Sequence, residues 1–154
     1  MFVLDTNTIR YGFYEPDKYP NVVANLLAND FQHIWISVVT AEELLVWRLR
    51  PFERSSLTQR MPKVLTAYEN LFSIMEDICS LQVKPFDRSV WDEFRGLWGA
   101  VSTNDRRIAA TALAHDFTVV SHDGDFQTLK DHQPRLKLVD WFDTPPTATA
   151  TGTI

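Results

Sequence analysis

Three short apolar runs, Met1 to Leu4, Ile34 to Val39 and Phe117 to Ser121, each give way at once to polar or helix-starting residues, and this pattern constrains the fold most. Runs so short and so continuously apolar match strands buried on both faces of a parallel sheet. A further run, Leu136 to Val139, predicts one more strand. Helical patterns lie between and around them: Val22 to Leu27 after Pro20, Thr40 to Leu49 stopped by Pro51, Met61 to about Ile78, Ser89 to Trp98, Asp105 to His115, and a short turn from Asp125 to Lys130. Strand and helix alternate, which predicts an α/β fold with a mainly parallel sheet between helices.

At 154 residues and 45% hydrophobic, the chain is expected to form one packed domain over residues 1–143, followed by a disordered Thr/Ala/Pro tail at 144–154 that offers little to bury. The single cysteine, Cys79, excludes an internal disulfide and is expected to be a small core residue. The first residues read as a buried strand with no leader or long apolar segment, so a cytoplasmic protein without a membrane anchor is expected. The net charge of −5 argues against a broad electrostatic grip on nucleic acid; any such contact should be local.

Four acids follow from the strand pattern. Asp5 and Asp123 stand at or just after strand ends, Glu43 in the first turn of the helix after the second strand, and Asp105 at the start of the helix before the third. In a parallel α/β sheet the carboxyl ends of strands and the amino ends of the returning helices share one edge, so all four map to one rim. Each has an ordinary local reading. Thr40-Ala41-Glu42-Glu43 matches a capping box, Asp105 suits a positive helix end, Asp5-Thr6 starts a turn, and Asp123-Gly124 is a turn pair. None of those readings predicts a common edge. Converging carboxylates repel one another unless a hard cation sits among them, so the pattern predicts a Mg²⁺- or Mn²⁺-dependent hydrolase of phosphodiesters.

Several neighbours compete for places around these acids. Glu42 and Glu43 project about 100° apart on a helix, so one of them reaches the metal. Asp125 either joins the site or caps the helix beginning near Phe126. Thr6 and Asn7 are candidates to orient a bound water, while Ser37, Thr40 and Ser121 either donate to the acids or satisfy strand ends. Arg106 and Arg107 sit at a helix start, where cations oppose the dipole; this marks them as candidates for phosphate or carboxylate partners, RNA among them, against the alternative of two solvated side chains. Arg48, Arg50, Arg54, Arg60 and Lys63 form a looser basic stretch. The tryptophans Trp35, Trp47, Trp91, Trp98 and Trp141 are expected to pack rather than stack bases.

The ordered set of motifs resembles the PIN-domain nucleases, most closely the VapC-like ribonuclease toxins of toxin-antitoxin pairs. The matching text is Leu4-Asp5-Thr6-Asn7, Ile36-Ser37-Val38-Val39-Thr40 leading to Glu43, Asn104-Asp105 followed by Ile108-Ala109-Ala110-Thr111-Ala112, and Val120-Ser121-His122-Asp123-Gly124-Asp125-Phe126. The resemblance implies a three-layer α/β/α fold and divalent-metal-dependent RNA cleavage. It also implies a homodimer, a cognate antitoxin, and an acidic site of Asp5, Glu43, Asp105 and Asp123, with Glu43 favoured over Glu42. The segment from Pro51 to Phe86 matches no motif, and substrate or antitoxin contacts are expected there. Phe2-Val3-Leu4-Asp5-Thr6-Asn7-Thr8 also looks like the opening of haloacid-dehalogenase-type phosphatases, except that their second Asp is here Asn7. A PIN-like module that has lost activity and binds RNA or protein is the non-enzymatic alternative.

Overall fold

The structure, a computed structural model, describes residues 1–53 and 61–146. Its first strand, β1 (Phe2–Leu4), leads into helix α1 (Thr6–Tyr14) and then α2 (Pro20–Ala28). A short 3-10 turn precedes β2 (Ile34–Ser37), followed by α3 (Val38–Glu53), α4 (Met61–Ser80), β3 (Gln82–Lys84), α5 (Arg88–Gly96) and α6 (Thr103–His115). The described chain closes with β4 (Thr118–Val120), α7 (Gly124–His132) and β5 (Lys137–Val139). The five strands form one sheet in the order β3-β2-β1-β4-β5, every neighbouring pair parallel.

Two apolar cores lie on the two faces of that sheet, giving the three layers. Side chains alternate along each strand. Val3 and Val119 join Val90, Ile108, Phe126 and Leu129 of α5, α6 and α7. Leu4, Ile34, Ile36 and Val120 join Ile9, Val22, Leu44 and Ile74 of α1 to α4. Each such side chain contributes roughly 1.5–3 kcal/mol by leaving water. Because β1 lies between β2 and β4, the chain reverses direction across the sheet at β1, and the crevice beyond the carboxyl ends of β1 and β4 is the topological switch point.

Several local expectations are corrected. Helix α1 was not anticipated, since Thr6-Asn7-Thr8-Ile9-Arg10-Tyr11-Gly12 is poor in strong helix formers. Tertiary contacts hold it: Asp5 caps it, and Thr8 and Ile9 are buried. At Gly12 an added Cβ would meet Leu26 Cδ1 at 2.8 Å and Val22 Cγ1 at 3.0 Å, so a larger residue would make those side chains of α2 shift. Strand β3 was also missed, because its three residues are partly exposed and carry no apolar run. The second strand stops at Ser37 rather than Val39, and α3 begins at Val38 rather than Thr40. The capping-box reading therefore fails: Ser37 Oγ takes the Thr40 amide at 2.9 Å, the bond of an N-cap residue, and Glu43 belongs to the second turn. Pro51 does not stop α3, which continues to Glu53. Cys79 is exposed rather than in the core, and Trp98, 78% exposed, is not packed.

Among the described residues no helix is long and apolar enough to cross a membrane. The tail expectation falls mostly on residues 147–154, outside the described residues. Its first residue is tied down, the Thr144 carbonyl accepting from Asn25 Nδ2 at 2.8 Å. Arg54 and Arg60 also lie outside the described residues.

Candidate active site

Asp5 follows β1 directly at the switch point. Its amide extends the ladder by one bond to the Val120 carbonyl at 3.1 Å. Its carboxylate caps α1, Oδ1 accepting from the Thr6 amide at 2.6 Å, while Oδ2 accepts from Ser121 Oγ at 2.9 Å. The residue is 3% exposed. Burial is the main cause that pushes its carboxyl up to about 7; the Ser121 bond opposes the shift, and the neighbouring Asp105 and Glu43 add to it.

Glu43 reaches the same place from α3, and both of its oxygens are held. Thr6 Oγ1 donates to Oε2, and Asn104 Nδ2 donates to Oε1 at 2.7 Å. Glu42 is exposed on the lip of the same cleft. Asp105 stands in the first turn of α6, where Ser102 Oγ accepts its amide at 3.0 Å. Burial again pushes the Asp105 carboxyl up, to about 6, opposed by the Ser102 bond and reinforced by Asp123, Asp125 and Glu43.

Asp123 is placed differently. It is the exposed cap of α7, Oδ1 accepting from the Asp125 amide at 3.0 Å. Asp125 is thus not the cap; its Oδ2 accepts from the Ser102 amide at 3.4 Å and joins the start of α7 to that of α6. Ser121 links two of the acids, donating to Asp5 and accepting from the Asp123 amide at 3.0 Å. Ser37 and Thr40 work beneath the site: their hydroxyls lie 3.0 Å apart, and Thr40 Oγ1 donates to the Leu4 carbonyl at 3.3 Å, joining the start of α3 to the end of β1.

A cleft of about 480 Å³ opens above these groups, lined by Asp5, Thr6, Asn7, Glu43, Asn104 and Asp105, with Arg10, Trp47 and Arg50 on its wall. Asp123 faces an adjoining pocket that shares Asn7 with the cleft. All four predicted acids therefore fall on the carboxyl edge of the sheet, three in the cleft and one beside it. Among the described residues, the group whose ligating atoms lie within 4.8 Å of one another is another one, His122, Asp140 and Asp143. The cleft nonetheless has the donor chemistry of a hard-cation site, with carboxylate oxygens raised toward protonation by burial and mutual repulsion, a state that a divalent ion would relieve.

The two arginines at the start of α6 stand behind the cleft wall rather than in its lining. Arg107 Nη1 donates to Asn104 Oδ1 at 3.2 Å, and the Arg106 guanidinium lies 5.2 Å from the Phe94 ring centroid; neither lines the cleft. Sequence reasoning missed Arg10 and the role of the Asn104 amide. The available signal was the spacing of Thr6, Asn7 and Arg10, one face of a helix that was not anticipated.

No curated protein matches this chain in sequence. Solved structures match over almost its whole length. FitAB bound to an IR36 DNA fragment is similar at 22% identity and a TM-score of 0.69, with 94% of this chain and 97% of that chain covered. FitAcB from Neisseria gonorrhoeae matches at 24% identity and a TM-score of 0.66, covering 94% and 100%. VapBC2 from Rickettsia felis bound to a promoter DNA fragment matches at 21% and 0.65, covering 91% and 98%. A family model described as PIN domain matches residues 2–131, and with the all-parallel sheet and the acids at its switch point, it makes this chain a member of the PIN-domain family.

Proposed function

We propose that the protein is a divalent-metal-dependent endoribonuclease and the toxin of a toxin-antitoxin pair. The observation that carries this reading is the buried Asp5 carboxyl at the switch point, sharing one cleft with Glu43 and Asp105. Asp5, Glu43 and Asp105 would hold Mg²⁺ or Mn²⁺, with Asp123 contributing from the rim. When bound, such an ion neutralises charge on the phosphoryl oxygens and makes water a better nucleophile. Ser121 fixes the orientation of Asp5, and Thr6 and Asn104 fix Glu43, so the carboxylates need little reorganisation. Asn7, which lines both the cleft and the Asp123 pocket, would orient a bound water in this reading.

Residues 1–143 form the catalytic unit in this reading, and the tail is dispensable. Two further similar structures are described as a toxin-antitoxin complex from Klebsiella pneumoniae and as a member of the VapBC family of toxin-antitoxin systems, which supports a cognate antitoxin for this chain. An exposed apolar stripe on α4, with Leu65, Phe72 and Met75 at 54, 63 and 50% exposure, supports a protein partner or a second copy in a homodimer. Cytoplasmic location follows from an RNA target. Membership of the PIN family sets aside the aspartyl-phosphate phosphatase.

The test is expression with and without a candidate antitoxin, with Asp5→Asn as control and RNA ends read by sequencing. New RNA ends and growth arrest are expected with the wild type alone, suppressed by the antitoxin. Indistinguishable RNA ends from wild type and Asp5→Asn would favour the inactive binding module.

A further inference from the structure

A cleft lined by carboxylates, in a chain of net charge −5, repels a polyanion unless fixed cations stand close by. Two helices supply them. On α1, Thr6, Asn7 and Arg10 face the cleft; on α3, Glu43, Val46, Trp47 and Arg50 do, at the spacing of one helical face. Each stripe runs from the acids toward a cation, and from Glu43 to Arg50 is about 10 Å along the helix axis.

Arg10 is held in place. Its guanidinium carbon lies 4.8 Å from the centroid of the Trp47 ring, and that of Arg48 lies 4.2 Å from the same centroid. Arg10 Nε is buried without a hydrogen-bond partner. Among the described residues, neither Arg10 nor Arg50 forms an ion pair, although carboxylates line the same cleft. Arg88 and Arg135, by contrast, pair with Asp92 and Glu93. A guanidinium stacked on an indole and not engaged by a carboxylate keeps its outer N–H groups for an incoming anion, and its fork suits phosphate oxygens.

We propose that Arg10 and Arg50 form a subsite for a non-scissile phosphate of single-stranded RNA, with Trp47 as the positioning residue for Arg10. The inference rests on the nuclease reading above and specifies how the strand is registered: one phosphate at the acids, another at the arginine wall.

The experiment measures binding of a short labelled single-stranded RNA to the full chain carrying Asp5→Asn, with and without Arg10→Gln and Arg50→Gln, across a salt series. Cleavage kinetics are measured in parallel with Asp5 intact. The double variant is expected to weaken binding about tenfold and to lower the slope of log K against log salt by about 0.7, the change for one phosphate no longer neutralised. In cleavage, KM should rise more than kcat falls. Lys137→Gln, at the opposite edge of the sheet, should leave the slope alone. Trp47→Leu should raise KM with Trp47→Tyr restoring it, a split that general destabilisation would not produce. Because Arg50 is exposed, Arg50→Gln alone keeps the test open if the Arg10 variant folds poorly.

If the wild type cuts RNA while the double variant keeps both affinity and slope, the subsite is overturned and the nuclease reading stands. If the wild type cuts nothing and Asp5→Asn binds nothing, both fall together. Unchanged RNA binding with lost binding of a poly-glutamate peptide would assign the wall to an acidic protein partner and overturn the proposal.

Discussion

Two acidic groups share the carboxyl edge of this sheet, and they differ in what surrounds them. His122, Asp140 and Asp143 bring their ligating atoms within 4.8 Å of one another and look, by distance alone, the better metal site. They are largely exposed, and His122 Nδ1 and Asp140 Oδ2 already satisfy each other at 2.7 Å, which holds the imidazole above its usual range. The cleft acids are less tightly gathered, yet Asp5 is buried at a strand end and pushed to about 7. Water and internal partners leave the exposed trio little to gain from an ion. Burial leaves Asp5 with an unfavourable charge that a cation relieves, so desolvation rather than proximity marks the site.

The sharpest way to break this contrast is Asp5→Asn. Cleavage should fall on the order of a thousandfold, since the variant removes the most deeply buried candidate ligand. Without metal, the same variant should be more stable than wild type at high pH. The folded pKa of Asp5, about 7, exceeds the ordinary carboxylate value of 3.8, so ionisation costs stability progressively as pH rises between those values. The gain should reach at most about 4 kcal/mol above pH 7 and vanish near pH 4. Urea midpoints measured in chelator against pH would check it; a variant less stable at pH 8 would contradict the burial account.

Next in size is the effect of the ion itself. Mg²⁺ or Mn²⁺ at about 100 times Kd should stabilise wild type by about 2.7 kcal/mol. That gain should fade as pH drops through about 7 and 6, where Asp5 and Asp105 take up protons. Thermal unfolding with and without ion reads it, and His122→Ala should keep the full shift. Smaller still, Asn104→Ala or Thr6→Val frees one oxygen of Glu43 and should weaken ion affinity about 10- to 100-fold by calorimetry. The smallest effect belongs to His122→Ala in the apo protein. The raised pKa of an exposed histidine gives stability that is present below its unfolded value and lost as pH rises through the folded one. Screening by solvent should hold that contribution under about 0.5 kcal/mol, and urea midpoints at pH 5.5 and 8.5 would show it.

The sequence made the sheet legible where strands were buried on both faces, as at Val3, Leu4, Ile36, Val119 and Val120, because an uninterrupted apolar run has few other uses. It failed at β3, an edge strand whose Gln82 and Lys84 carry no such run, and at α1, which tertiary packing forms against weak propensity. The acids were legible because strand ends and helix starts fix an edge. What surrounds them was not: Thr40 reads locally as a cap but bonds the carbonyl of Leu4, 36 residues away. Arg10 was invisible for the same reason as α1, since a helix face cannot be read before the helix is known.

The most direct test of the central claim is an anomalous difference map from wild-type crystals grown with Mn²⁺ at pH 8. The account predicts a peak among Asp5, Glu43 and Asp105, lost in Asp5→Asn. A peak confined to His122, Asp140 and Asp143, with the cleft empty, would contradict it.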